Sequence, residues 1–72
     1  MFERRFRIIG VKILYYRKIK GWTQAELATK VGISPSYLSR IESGKYQGVP
    51  ISTLMSISVS LDIDLVKLIE EE

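Results

Sequence analysis

The sequence contains no cysteine, which excludes a disulfide framework and any thiolate metal site. It contains no histidine either, so the commonest metal ligand and the commonest general base are both missing. No metal and no other cofactor is expected. No apolar run approaches the roughly 20 residues that a membrane-spanning helix requires. The start has the outline of a secretory signal, with Arg4, Arg5 and Arg7 ahead of Ile8, Ile9, Gly10 and Val11. Lys12 interrupts that stretch, Arg17, Lys18 and Lys20 follow it, and no small-residue cleavage site is present. A cytoplasmic protein with no membrane association is the expectation. With only 72 residues, the chain lies near the lower limit for folding without staples, and residues 1–72 are expected to form a single domain. Such a domain binds something rather than transforms it. An enzyme is not expected, and neither is a small-molecule ligand.

What is present is more telling. Apolar residues make up 46% of the chain, enough for a core and above the level of disordered chains. Lys and Arg number 11 against 8 Asp and Glu, for a net charge of +3. The charges are segregated. Through Gln47 there are 10 basic and 3 acidic residues, and beyond it 1 basic and 5 acidic. A basic front and an acidic end suit a polyanion-binding surface on the first part. Segregated solvated charge is the plainer reading. Glu70, Glu71 and Glu72 read as a solvated terminus rather than a metal site.

Phe6, Ile9, Ile13 and Tyr16 recur at helical spacing and predict a first helix over about 4–18. Gly10 inside it lowers helix propensity, which signals either close packing or tolerance. Gly21 is placed to end it. Thr23 and Glu26 then have the spacing of a capping box, opening a second helix over about 24–31 with Leu27, Ala28 and Val31 on one face. Gly32 stops it. Ser34 and Pro35 suit the N-cap and first position of a third helix, about 35–43, with Leu38 and Ile41 as its inner stripe. Two short helices joined by a glycine turn make a helix-turn-helix candidate. Residues 45–50 read as a loop. Farther on, Ile57, Val59, Leu61, Ile63 and Leu65 alternate with polar residues, as in a β-strand. A helical series, Ile51, Leu54, Ile57, Leu61, Leu65 and Leu68, competes with it. Helix over 51–61, a turn at Asp62-Ile63 and a short helix capped by Asp64 is preferred, because a lone strand would have no partner.

The run Thr23-Gln24-x-x-Leu27-Ala28-x-x-x-Gly32-Ile33-Ser34, followed by Leu38-Ser39-x-Ile41-Glu42-x-Gly44, resembles the lambda-repressor-like, Cro-type helix-turn-helix family, often called XRE. The resemblance covers about residues 9–69. It implies an all-α, compact five-helix domain in which the third helix is the recognition helix, and it decides the ambiguous 57–65 segment in favour of helix. By the same resemblance, Ser36, Tyr37 and Arg40 occupy base-contacting positions. Gln24, Ser39, Ser43, Lys45, Tyr46 and Arg17 occupy phosphate-contacting ones. Arg17 and Glu42 match an ion pair between the first and third helices. The family's loop often continues with basic residues where this chain has Gln47-Gly48-Val49. Arg4, Arg5 and Arg7 suit either an arm along the DNA backbone or simple solubility. Leu14, Tyr15, Val66 and Ile69 are apolar at outward positions, and Val66 and Ile69 are assigned to a homodimer interface. The implied function is a sequence-specific double-stranded-DNA-binding transcriptional regulator, a repressor or controller protein acting on a pseudo-palindromic operator as a dimer. The alternative is an antitoxin-type module that binds a protein partner and autoregulates its operon.

Overall fold

The inward stripe of the first helix, the two caps flanking Gly32 and the apolar series after Pro50 each appear as helical structure. The computed structural model describes residues 3–45 and 48–70. Five helices follow one another: α1 (Glu3–Lys20), α2 (Gln24–Val31), α3 (Pro35–Glu42), α4 (Ile51–Leu61) and α5 (Leu65–Ile69). No strand occurs among the described residues.

Local chemistry sets the helix ends. The Thr23 side chain accepts from the Glu26 N–H at 3.0 Å, and the Glu26 carboxylate accepts from the Thr23 N–H at 2.8 Å. Each satisfies an amide that the helix start leaves unpaired. At the other end of α2, Gly32 adopts φ 87° and donates its N–H to the Ala28 carbonyl. That left-handed conformation is adopted most readily by glycine. Ser34 caps α3 by accepting from the Tyr37 N–H at 3.1 Å, with Pro35 as the first helical residue.

The core is built from all five helices. Ile9 and Ile13 of α1 meet Leu27 and Ala28 of α2, Leu38 and Ile41 of α3, Leu54, Ile57 and Leu61 of α4, and Leu68 of α5. Val49 joins them from the loop before α4. This accounts for an apolar residue where the resembled family often carries charge: Val49 anchors the loop inward. Phe6 and Tyr16 pack on the margin of the same core.

The strand-like alternation over 57–65 is a coincidence of composition. Ile57, Ser58 and Leu61 share the buried side of α4, whereas Val59 points out. Asp62 then takes φ 59°, the left-handed conformation that ends the helix. Asp64 stands at the N-cap of α5 but makes no side-chain capping bond. A five-residue helix has no stability of its own. Here α5 is held by Leu68, which is fully buried and contributes about 1.5–3 kcal/mol. Lys12 of α1 adds a second tie, donating to the Lys67 and Glu70 carbonyls at 3.0 and 2.5 Å. A lysine ammonium at a helix C-terminus meets the negative end of its dipole.

Val66 and Ile69, expected to share an outward face, differ in exposure. Val66 is exposed, but Ile69 packs half-buried against the core. Because α5 lies against both α1 and α4, more of its surface is covered than a helix resting on one neighbour would lose.

Candidate nucleic-acid interface

Residues 36, 39, 40 and 43 lie on the side of α3 opposite its anchors. Leu38, Ile41 and Glu42 are buried, whereas Ser36, Ser39, Arg40 and Ser43 are exposed. The result is a short helix held by one face and presenting the other, polar, uncharged except for Arg40. Tyr37 sits at the edge of that face, half-buried against the core. Ser43 follows the helix as its C-cap, its hydroxyl donating to the Arg40 carbonyl at 3.0 Å. Lys45 is exposed just beyond, its backbone N–H closing the helix end on the same carbonyl. Tyr46 lies outside the described residues.

The attachment of α3 centres on Glu42. Its carboxylate accepts from Arg17 Nε at 2.7 Å and from a terminal guanidinium nitrogen of the same residue at 3.0 Å. The other terminal nitrogen donates to the Trp22 carbonyl at 2.8 Å. Gln24 completes the group, its Nε2 donating to Glu42 Oε1 at 2.9 Å. Arg17 is 5% and Glu42 7% exposed. Two charges are costly to remove from water, and the cost is offset only when geometry is good and the remaining polar atoms are satisfied. Both conditions hold: the fork is bidentate, and among the described residues no buried side-chain nitrogen or oxygen lacks a partner. One carboxylate thereby joins α1, the α1–α2 turn, α2 and α3.

These contacts sort the expected roles. The structure brings Arg17 and Glu42 together, and burial of the guanidinium against Glu42 and Trp22 favours the ion pair over a phosphate contact for Arg17. Gln24 stands in the first turn of α2 and is half-buried. It has a structural partner that the sequence did not disclose, and only one of its two amide hydrogens is used in that bond. Trp22 is a further member of the site. Its carbonyl holds Arg17, and its ring lies beneath the Lys30 ammonium at 4.6 Å and the Lys20 ammonium at 5.8 Å, within cation–π range. The available signal was a lone tryptophan set between the Gly21 cap and the Thr23 capping residue.

Gly10 decides how near α3 stands to α1. A Cβ placed there would lie 2.6 Å from the Glu42 carbonyl oxygen and closer still to that of Ile41. The absence of a side chain lets the backbones of α1 and α3 touch at Ile41 and Glu42, two turns of α1 before Arg17.

The sequence profile of the helix-turn-helix family matches residues 13–68. Among similar sequences is the HTH-type transcriptional regulator SinR of Bacillus subtilis (strain 168), 40% identical over 65 residues, which are 90% of this chain and 59% of SinR. The chain spans about half the length of the regulators it matches in sequence. Among solved structures, the N-terminal DNA-binding domain of SinR superposes with a TM-score of 0.85 at 39% identity, covering 92% of this chain and 96% of that one. The crystal structure of SinR in complex with DNA superposes with a TM-score of 0.82 at 40% identity, over 86% of this chain and 98% of that one.

Proposed function

The chain belongs to the XRE-type helix-turn-helix family, and from that premise we propose that it is a sequence-specific double-stranded-DNA-binding regulator of transcription. The observation that carries this reading is the exposed face of α3, with Ser36, Ser39 and Arg40 turned outward on a helix whose other side is fixed by Leu38, Ile41 and Glu42. Its α3 enters the major groove. Arg40 reads a base, since a guanidinium matches the paired acceptors of guanine. Ser36 and Tyr37 make the less selective base contacts. Phosphates are met by Ser39, Ser43, Lys45, Tyr46 and Gln24, the last through its second amide hydrogen and beside the N-terminal amides of α2. The protein works in the cytoplasm, by occupying an operator rather than by catalysis.

A random-oligonucleotide binding selection tests this directly. The expected result is an enriched motif whose affinity falls steeply with salt, because the basic front displaces counterions from DNA. Failure to enrich any motif, or a flat salt dependence, would refute the reading. Within the enriched motif, Arg40→Ala is expected to erase preference at one base-pair position, by about 1–3 kcal/mol, while binding to other sequences changes little. Retention of the full wild-type preference would place Arg40 off the bases.

One recognition helix covers only a few base pairs, so useful specificity calls for two copies. The proposed dimer forms through the C-terminal region, around Val66, with the two α3 helices about one DNA turn (roughly 34 Å) apart on a pseudo-palindromic operator. Val66 is 62% and Val59 77% exposed, and α4 contains no charged residue from Ile51 to Leu61. Ile69 contributes from the margin of the core. Val66→Glu is the informative variant, since an Ile69 substitution would disturb packing as well. Sedimentation at micromolar concentration is expected to give a dimer for the wild type and a monomer for Val66→Glu. A wild-type monomer on a single asymmetric half-site would overturn the dimer.

A further inference from the structure

A second uncovered apolar stripe runs along α1. Val11, Tyr15 and Ile19, spaced four apart, are 61%, 60% and 62% exposed. The half-buried Ile8 extends the stripe toward the N-terminus, where Arg4, Arg7, Ile8, Val11 and Lys12 line a shallow groove. From Ile8 to Ile19 the stripe is about 16 Å long, three turns of helix. The core does not need these side chains, since α1 packs through Ile9, Ile13 and Arg17. The Tyr15 ring meets the half-buried Tyr16 ring edge-on, with centroids 5.2 Å apart, and a tyrosine, with only two side-chain torsions, loses little entropy on binding.

The charge around the stripe identifies what fits it. Within Glu3–Lys20, apart from Arg17, which is buried against Glu42, there are six basic residues and one acidic residue. A second copy of the same helix would bring like charge against like. DNA would satisfy the cations but leave Val11, Tyr15 and Ile19 in water. A flat lipid surface would cover the stripe but would not fill the shallow groove lined by Arg4, Arg7, Ile8, Val11 and Lys12. An amphipathic helix with an apolar stripe and acidic flanks matches both features at once, in the helix-against-groove mode of peptide recognition. We infer that the outer face of α1 docks an acidic amphipathic helix of a partner protein, with Val11, Tyr15 and Ile19 as anchors and Arg4, Arg7 and Lys18 as the charged rim. The anchors Val11, Tyr15 and Ile19 lie apart from the outward face of α3, whereas Arg7 packs beside Gly44 at the end of that helix, so the test substitutes anchors and not Arg7.

The test uses the whole 72-residue chain and a synthetic peptide of about 18 residues, long enough to sustain a helix. Leucines at helical spacing line one face of the peptide and glutamates flank them, and a scrambled peptide of identical composition is the control. Fluorescence anisotropy is expected to show the patterned peptide binding at least about tenfold more tightly than the scrambled one, as anchor-dominated recognition requires. Amide shifts in NMR spectra should then map to α1. The double variant Val11→Ser, Tyr15→Ser should weaken peptide binding by about tenfold or more while its melting temperature and its affinity for a short DNA duplex stay at wild-type values. Equal binding of the two peptides, undiminished binding by the double variant, or shifts confined to α3 or α4 would each overturn the inference. So would tight binding to vesicles of phosphatidylcholine and phosphatidylglycerol that depends on Val11 and Tyr15, with no preference for the patterned peptide. That outcome would assign the face to a lipid surface.

Discussion

Glu42→Ala is expected to lower the melting temperature by tens of degrees and weaken DNA binding at the same time. The substitution leaves the Arg17 guanidinium buried without its carboxylate and removes the acceptor of the Gln24 amide. Breaking a buried pair from one side costs about 3–5 kcal/mol. A chain of this size has only about 4–11 kcal/mol in total, and each kcal/mol is worth about 4–8 °C in melting temperature. The predicted loss of DNA affinity runs against simple charge counting. Removing an acid near a DNA-binding face should tighten binding, but here α3 loses the joint that fixes it to α1 and α2. Thermal unfolding by circular dichroism and duplex titration separate the two effects. The double variant Arg17→Met, Glu42→Leu is expected to recover much of the lost stability, because it leaves no unpaired charge behind. A Glu42→Ala protein that melts as the wild type does and binds DNA more tightly would refute the structural role of the pair.

Gly10→Ala is expected to destabilise the protein, by about 1–3 kcal/mol, even though alanine is the better helix former. Helix propensity alone predicts the opposite sign, a gain of about 0.8–1.0 kcal/mol in a helix interior. The outcome rests on contact with α3. The added methyl would fall 2.6 Å from the Glu42 carbonyl oxygen and 2.9 Å from its carbon, and neither is the tip of a flexible side chain. Backbone must move, and the movement occurs where α1 and α3 touch, so the reading helix shifts against the rest of the site. Denaturant unfolding gives the sign directly, and DNA affinity is expected to fall further than lost stability alone explains. A stabilised Gly10→Ala protein with unchanged DNA binding would show that the α1–α3 crossing tolerates a side chain.

The two substitutions mark the boundary between what could be read from the sequence and what could not. Signals that act within three or four residues were legible. Thr23 with Glu26, Gly32, and Ser34 with Pro35 announce the ends of α2 and α3, because a cap or a left-handed turn is decided by neighbouring backbone groups. The inward stripe of α1 and the outward position of Arg40 follow from helical period. Over 57–65 periodicity alone was ambiguous, since strand-like and helical spacings coexist there; the lack of a partner strand and the family resemblance favoured helix, and the burial of Ile57 and Leu61 on one side of α4 agrees.

By itself, the sequence determined the ends of α2 and α3, the inward stripe of α1 and a third helix that begins at Pro35, all around one apolar core. Tertiary structure alone decided how that helix is held. Gln24 meets Glu42 across 18 positions of chain and Arg17 meets it across 25. Gly10 leaves room for carbonyls of α3, Val49 is buried by the return of the loop to the core, and Ile69 is half-covered by the packing of α5. The physical reason is common to all of these. A cap or a turn is satisfied by atoms a few bonds away, whereas the value of a buried charge, a missing side chain or a half-covered isoleucine depends on which distant backbone arrives beside it.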